Sequence, residues 1–269
     1  MRKLKIDWNQ AWKNARTDKA RRSKDSAYWD KRAPSFARHT KESDYAADFM
    51  RVLSPSPLWS VLDVGCAAGT LAIPLARVVR SITALDISDP MLNILREHCR
   101  EEGISNITPL KLSWEEDWEA AGIGMHNVAI ASRSLVVDDL KDALEKLNSH
   151  AREKVIVSSL VADGPFDRRI FEALGRELDR GPDYIYVYNL LNQMGIFADV
   201  TFVLNGSGGK VFGDIEDAVN GHRWMVDKMT NEEEERLRNY LAKHLIKSGD
   251  GWTLSYRNTV RWAVIWWSR

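Results

Sequence analysis

One stretch of ten residues decides the fold of this 269-residue chain: Val61-Leu62-Asp63-Val64-Gly65-Cys66-Ala67-Ala68-Gly69-Thr70. Its apolar residues predict a buried strand, and the small residues from Gly65 to Gly69 predict a tight loop that opens a helix. Glycine permits a sharp turn and the close approach of a ligand to the backbone. Because the first N–H groups of a helix favour negative charge, the stretch predicts a nucleotide-type binding turn.

A second acidic residue ends the next predicted strand. Residues 81–86 form an apolar run that ends in Asp86. This aspartate lies about 20 residues after Gly65, the spacing at which a carboxylate reaches the ribose of a bound nucleotide. Ala67 stands where the dinucleotide fingerprint has the glycine that admits a pyrophosphate. A diphosphate is therefore less favoured than a smaller head group.

These residues, taken in order, carry a family resemblance. The segment 61–76 together with Asp86 resembles motif I and the acidic motif II residue of class I S-adenosylmethionine-dependent methyltransferases. The resemblance is strong over about residues 58–140 and looser on either side. It implies a Rossmann-like α/β fold, with a doubly wound, mostly parallel sheet of seven strands and the last strand antiparallel. It also implies S-adenosylmethionine as cofactor and S-adenosylhomocysteine as product.

The rest of the chain agrees with that fold class, because predicted strands and helices alternate. Residues 1–57 are predicted to form a helical cap, and residues 58–269 the methyltransferase domain. Residues 205–258 are predicted to be a helical insertion before the last strand. Residues 183–194 allow a strand or a helix, and we favour the helix because apolar residues also recur at helical spacing.

Ligands of open α/β sheets bind beyond the carboxyl ends of the strands, and this rule selects the candidate site residues. The resemblance implies that the loop backbone approaches the methionine moiety and that Asp86 accepts both ribose hydroxyls. Asp63 would face the methionine ammonium. The residues predicted to contact the cofactor are Asp63, Gly65, Cys66, Ala67, Gly69, Asp86, Ile87, Met91, Trp114, Glu115 and Ser132.

Two further groups of contacts follow from the resemblance. The adenine is expected against Ile87 and Met91, with Trp114 and Glu115 near its amino edge. Ser132 is expected to close the floor near the reacting carbon. The competing interpretation for Trp114 and Met91 is simple packing in the core. For Asp86 it is a role as a helix cap.

No residue is predicted firmly as the catalytic group. A methyl group on a sulfonium already has an activated leaving group, so alignment and exclusion of water matter most. A general base is needed only if the nucleophile arrives protonated. The candidates are His39, His222 and Tyr45, although a surface or packing role is favoured for both histidines.

Other histidines and metals are not expected at the site. Three histidines, His98, His126 and His150, are predicted at the opposite edge of the sheet from the loop. No cluster of His and Cys has zinc spacing, so no metal is expected.

The composition indicates which classes of partner and which cellular location are expected. A formal net charge of +0 argues against a general nucleic-acid or membrane-surface binder. Residues 1–24 are rich in Lys and Arg, and they form either an arm for an acidic partner or, as we favour, a solvated helix face. The two cysteines give no disulfide framework, and no apolar run is long enough for a membrane span. The sequence predicts a cytoplasmic protein and leaves its oligomeric state open.

The leading prediction is methyl transfer from S-adenosylmethionine to an unidentified small-molecule acceptor. One alternative is an NAD(P)-dependent oxidoreductase, since Asp86 would suit that ribose too, although Ala67 and the lack of a Tyr-x-x-x-Lys pair count against it. The other is a non-catalytic module that binds S-adenosylmethionine. The acceptor walls are expected in residues 25–49, 163–195 and 205–228.

A nucleic-acid acceptor is not expected. Nucleic-acid methyltransferases of this kind carry an Asn-Pro-Pro-Tyr-type signature after the fourth strand. The present chain has Ala131-Ser132-Arg133-Ser134 at that place.

Overall fold

A computed structural model describes residues 6–16, 25–34, 45–205 and 210–269. The chain divides into two compact units. The first comprises Met1–Val161, Gly181–Val203 and Trp262–Arg269, and the second comprises Ala162–Arg180 and Leu204–Arg261. No helix in the described ranges is long and apolar enough to cross a lipid bilayer.

The strands account for the central architecture. In chain order they are β1 Ser60–Val64, β2 Ser81–Asp86, β3 Ile107–Lys111, β4 His126–Ser132, β5 Ala151–Leu160, β6 Asp199–Asn205, β7 Leu245–Ser248, β8 Gly251–Leu254 and β9 Val260–Ser268. Seven of them form one sheet in the order β3-β2-β1-β4-β5-β9-β6. Parallel pairing joins β3 to β2, β2 to β1, β1 to β4 and β4 to β5, whereas β9 runs antiparallel to β5. The predicted seven-stranded, mostly parallel fold is thus confirmed.

The strand order reverses direction between β1 and β4. In doubly wound sheets, a crevice opens at such a point because the connections leave on opposite faces. Every residue of β1 is buried, as expected for a central strand covered by helices on both faces. The carboxyl ends of β1, β2 and β4 therefore meet at the place where a ligand would bind.

The helices lie at Trp8–Ala15 (α1), Ser26–Asp30 (α2), Tyr45–Leu53 (α3), Ala72–Ala76 (α4), Asp89–Glu102 (α5), Leu140–Ser149 (α6), Arg168–Leu174 (α7), Tyr184–Gln193 (α8), Ile215–Arg223 (α9) and Asn231–His244 (α10). The helix favoured for residues 183–194 is confirmed as α8. Ser88 caps α5 by accepting the Met91 N–H at 3.3 Å, and Gly103 ends it in the left-handed conformation, φ 65°. Both positions follow the normal residue preferences of helix ends.

The basic N-terminal segment is described only in part. Its helix α1 docks on the first unit through buried Trp12, whose indole N–H donates to the Val137 carbonyl at 2.8 Å. Lys13 pairs with Asp139 at 2.5 Å, and Arg16 pairs with Asp138 at 3.1 Å. These two cations are therefore neutralised within the chain, and the rest of the segment lies outside the described residues.

The second unit has an apolar core of its own, formed by α7, α9 and α10. It contains two helices within residues 205–258, α9 and α10, and Thr230 and Glu233 form a capping box at the start of α10. It also takes in residues 162–180, which lie outside the predicted insertion, and a β7–β8 hairpin that was not predicted. The glycine-rich residues 206–209 lie outside the described residues.

Candidate active site

The loop after β1 is shaped by glycine at its first position. Gly65 has φ +74°, and a Cβ there would lie 2.3 Å from the Ser134 Cβ. The N–H groups of Gly65 and Cys66 both donate to the Leu85 carbonyl, at 2.7 and 2.9 Å, so the loop turns back onto β2. Gly65 is thus required by its backbone conformation and by the approach of the β4 end.

Gly69 lies against two helices. Its φ is +91°, and a Cβ there would lie 2.6 Å from Leu95 of α5 and 2.9 Å from Ile73 of α4. Gly69 shapes the loop against these helices and does not line the cavity described below, whereas its neighbour Thr70 does. The lack of a side chain at Gly69 serves packing against the two helices, and its contact with a cofactor stays a prediction.

Asp86 is held rigidly at the end of β2. Its Oδ2 accepts the Ala67 N–H at 2.8 Å, and its Oδ1 accepts the Ser88 N–H at 2.9 Å. Burial raises the pKa of Asp86, and these backbone N–H groups oppose the rise because they stabilise the charged form. Ala67 adopts the left-handed conformation, φ 49°, that directs its N–H to the carboxylate. The loop and the acid therefore form one unit.

Asp63 is the least solvated acid of the site. It is 2% exposed, and its Oδ2 is buried without a hydrogen-bond partner in the described structure. Burial, and then the charge of Asp86, raise the pKa of Asp63 to about 7. An unpaired buried carboxylate is costly, so this atom provides a ready acceptor for a cationic N–H donor.

One cavity brings these groups together. It is a cleft that is partly open to solvent. The predicted cofactor residues that line it are Asp63, Gly65, Cys66, Ala67, Asp86, Ile87, Met91, Trp114, Glu115 and Ser132. Lining residues that were not predicted include Trp29, Thr70, Leu71, Ser113, Arg133 and Val136.

Aromatic side chains form part of the wall. The Trp114 indole N–H donates to the Ser134 carbonyl at 3.0 Å, which fixes the ring across the end of β4. Trp29 comes from α2, which is anchored to the end of β2 because the Ser88 hydroxyl donates to Asp30 at 2.6 Å. Trp29 falls within the predicted acceptor wall 25–49. The flat apolar surfaces suit a planar ring system.

A cluster of hydroxyls adjoins the cavity at Ser132, which lies on its wall. The Tyr45 hydroxyl is 2.7 Å from the Oγ of Ser132 and 2.7 Å from the Oγ of Ser158. Burial raises the pKa of Tyr45 above its ordinary value, so the phenol keeps its proton at neutral pH. Tyr45 is therefore a hydrogen-bonding residue, and its candidacy as a base at neutral pH is not supported.

The other catalytic candidates are histidines. His222 is buried in the second unit, with its Nδ1 2.7 Å from the Ala218 carbonyl and its ring packed on Phe212, which indicates a packing role. His39 lies outside the described residues. The predicted position of His98 was wrong: its Nδ1 is 3.2 Å from the Ala68 carbonyl, because the loop folds over the α5 surface.

The remaining polar chemistry of the cavity is limited. Burial raises the pKa of the Cys66 thiol well above its ordinary value, so the thiol stays protonated and unreactive. Over the described ranges, no group of three or more His, Cys, Asp or Glu is arranged to hold a metal ion.

Known proteins agree with this architecture. Residues 61–154 match the family described as "Methyltransferase domain". A Haemophilus influenzae protein described as uncharacterized is 32% identical over 242 residues, covering 89% of this chain and 88% of the relative. A ubiquinone biosynthesis O-methyltransferase from Methylocella silvestris is 41% identical over 54 residues, 19% of this chain and 21% of that enzyme.

Similarity to solved structures extends over most of the fold. A Bacillus halodurans structure, solved as that of a candidate methyltransferase, superposes with a TM-score of 0.53 at 12% identity, covering 83% of this chain and 97% of that one. The sheet order with antiparallel β9 also differs from the all-parallel order of the classic dinucleotide-binding fold, so the oxidoreductase alternative is not favoured. The chain therefore contains a methyltransferase domain, with the fold of class I S-adenosylmethionine-dependent methyltransferases.

Proposed function

We propose that this enzyme binds S-adenosylmethionine in the cavity at the ends of β1, β2 and β4 and transfers its methyl group to a small-molecule acceptor. The observation that carries the proposal is a pair of buried carboxylates on one wall. Asp86 is held by two backbone N–H groups, and Asp63 keeps an unpartnered oxygen. Such a pair suits a ligand with hydroxyls at one place and a cation at another.

The adenosine part of the cofactor fits the β2 and β3 side of the cavity. Each Asp86 oxygen has one lone pair engaged by the backbone, which leaves one free to accept a ribose hydroxyl. Ile87, Met91 and Trp114 give the apolar wall that an adenine needs, and Glu115 is the polar group near its edge. Trp29 of α2 would add a second aromatic surface.

The amino-acid part fits the loop. Asp63 is the only described carboxylate of this wall with a buried oxygen that lacks a partner, so it would receive the methionine ammonium. Pairing with a cation would lower the pKa of Asp63 from about 7 and keep it ionised. The same pairing would remove the cost of leaving that oxygen unsatisfied.

The chemistry needs little from the protein beyond positioning. When bound, S-adenosylmethionine supplies a methyl group on a sulfonium, which is an activated leaving group. The chain's own residues orient the two reactants and exclude water from the space between them. Ser132, at the end of β4, lies on the wall beside that space and is fixed by the Tyr45 hydroxyl.

The acceptor is proposed to be a small molecule. A partly enclosed cavity admits a metabolite-sized ligand. A cytoplasmic location remains a prediction, and so does the absence of a nucleic-acid partner.

Calorimetry with S-adenosylhomocysteine tests the proposal. We expect micromolar affinity for the wild type and at least about 100-fold weaker binding for Asp86→Ala. Fluorescence titration with NADH serves as the control, and we expect no binding of that nucleotide. Absence of S-adenosylhomocysteine binding to the folded wild type would overturn the proposal. Binding without methyl transfer to any of a broad panel of acceptors would instead favour the non-catalytic module.

A further inference from the structure

Arg133 is the one basic side chain among the described residues of the cavity wall. It follows the last residue of β4, and its φ of 57° places it in the left-handed region, which a side chain as large as arginine rarely adopts. The Arg133 N–H donates to the Ser158 Oγ at 2.9 Å, which holds that conformation. Backbone strain of this kind persists where the surroundings over-determine it, as they do at many functional sites.

The guanidinium of Arg133 rests on aromatic rings. Its central carbon lies 4.2 Å from the centre of the Tyr45 ring and 5.6 Å from that of Trp262. Burial lowers the pKa of Arg133, and Tyr45 is the only titratable side chain of the described residues that acts in the opposite direction. No carboxylate of the described residues pairs with Arg133, whereas many other arginines, among them Arg16, Arg169 and Arg176, have carboxylate partners.

Trp262 adds a second donor without an acceptor. Its indole N–H is buried and has no hydrogen-bond partner in the described structure. Two groups that carry N–H donors, a cation and an indole, therefore lie beside each other with no described acceptor. A buried donor without a partner is costly, and the Trp262 N–H is such a donor. Arg133, which is half-buried on the cavity wall, brings a cation without a described acceptor beside it. The two groups together favour an acceptor that is not part of the described chain.

The strand order separates this position from the cofactor residues. Asp86 ends β2 and Asp63 lies in β1, whereas the Arg133 guanidinium reaches toward Tyr45 and the start of β9. Three strands, β1, β4 and β5, stand between β2 and β9. At about 4.8 Å per strand, the ends of β2 and β9 are separated by on the order of 19 Å, and the backbone of Arg133, at the end of β4, lies two strands from β2 and one strand from β1. The ligand of Arg133 is thus expected beyond the cofactor, on the acceptor side.

We propose that the methyl acceptor carries a carboxylate group and that Arg133 binds this group at the β4–β9 end of the cavity. The inference rests on the proposed methyl transfer and specifies its substrate class. The planar fork of an arginine matches the two oxygens of a carboxylate, and a single cation balances a single negative charge. Arg133 is accordingly a specificity residue, which selects acids over their neutral analogues.

The experiment measures how strongly acids and their matched amides bind to the enzyme saturated with S-adenosylhomocysteine. The probes are benzoate with benzamide and hexanoate with hexanamide, followed by saturation-transfer NMR titration at pH 7.5. We expect at least one acid to bind about tenfold more tightly than its amide to the wild type. The preference should vanish in Arg133→Gln and survive in part in Arg133→Lys. Arg100→Gln, an exposed position on α5, should behave as the wild type.

The affinity for S-adenosylhomocysteine separates the possible outcomes. We expect it to stay within about threefold of the wild type in Arg133→Gln, which also shows that the variant is folded. A tenfold loss would mean that Arg133 binds the carboxylate of the cofactor, and the inference would be overturned. Equal binding of acids and amides, no binding of either acid, or tighter binding of phenyl phosphate than of benzoate would also overturn it. If the wild type bound no S-adenosylhomocysteine, the proposed function itself would fail.

Discussion

The two ends of the cavity are built in different ways. At the β1–β2 end, the residues come from one short segment of chain, and backbone N–H groups hold Asp86 in place. At the β4–β9 end, side chains from α3, β4, β5 and β9 meet, and hydroxyls and rings hold one another. The residues of the first end are close together in the sequence, whereas those of the second end come from distant segments.

We assign the first end to cofactor binding and the second end to recognition of the acceptor. In the proposed function, the local loop and the strand-end acid recognise the cofactor. Side chains gathered from distant segments can vary independently, and they are suited to recognise the acceptor. Substitutions at the first end should therefore affect cofactor binding, and substitutions at the second should leave it intact.

The largest expected effect is on cofactor affinity at Asp86. Replacing Asp86 with Ala removes a charged acceptor for two hydroxyls, which should cost about 3 kcal/mol or more, at least about 100-fold in Kd. Calorimetry with S-adenosylhomocysteine measures this loss. Asp142→Ala, an exposed aspartate of α6, is the matched control and should bind normally. A loss below threefold for Asp86→Ala would remove Asp86 from the cofactor site.

The next largest effect is expected on the free energy of unfolding, at the contact between Gly65 and Ser134. Gly65→Ala should lower the free energy of unfolding by about 3 kcal/mol, because its Cβ would overlap Ser134 and its φ is positive. Gly103→Ala shares the positive φ but meets no atom within 4 Å, so about 1 kcal/mol is expected. Urea unfolding compares the two variants. Equal losses would show that β4 does not approach the loop as described.

A pH effect should come from Asp63. Because the pKa of Asp63 is raised to about 7, the carboxyl is protonated below that pH and cannot pair with an ammonium group. We expect the affinity for S-adenosylhomocysteine to fall about tenfold between pH 8 and pH 6. Asp63→Asn should bind weakly at both values and lack this dependence. A pH dependence that persists in the variant would point to another group.

The same acid should lower the stability of the ligand-free protein at high pH. Its folded pKa lies above the ordinary value of 3.8, so its stability penalty is absent below pH 4 and grows as the pH rises toward 7. Asp63→Asn should therefore be more stable than the wild type at pH 8, by up to about 4 kcal/mol. Urea unfolding at pH 4.5 and pH 8 measures the difference, which should be smaller at the lower pH.

The smallest effect is expected at the long-range end. Tyr45→Phe removes the hydroxyl that joins Ser132 and Ser158, but those two remain 3.4 Å apart and can pair with each other. The expected loss of stability is about 1 kcal/mol, and the affinity for S-adenosylhomocysteine should change by less than twofold. Calorimetry on the variant tests both values. A large loss of cofactor affinity would contradict the division of the site into two ends.

The sequence predicted the residues at the β1–β2 end of the cavity, but it did not predict most of those at the β4–β9 end. Strand, loop and acid follow each other along the chain, so the sequence could predict that Asp63, Gly65 and Asp86 lie together, as they do on one cavity wall. The surroundings of Gly69 could not be predicted, because a loop glycine has the same sequence pattern whether a ligand or a helix lies beside it.

Arg133 and Trp29 could not be found in this way. Arg133 directly follows a buried strand, which was a signal, but only the fold shows that its guanidinium meets Tyr45 and Trp262 from distant segments. Trp29 belongs to a short helix whose position depends on the Ser88–Asp30 hydrogen bond. The β7–β8 hairpin was missed because its strands are only four residues long and largely exposed.

A crystal structure of the complex with S-adenosylhomocysteine tests the central claim most directly. We predict that the ribose hydroxyls bind Asp86, that the ammonium binds Asp63, and that the Arg133 guanidinium does not contact the cofactor carboxylate. A nucleoside bound elsewhere, or a cavity that keeps Asp63 without a partner in the complex, would contradict it.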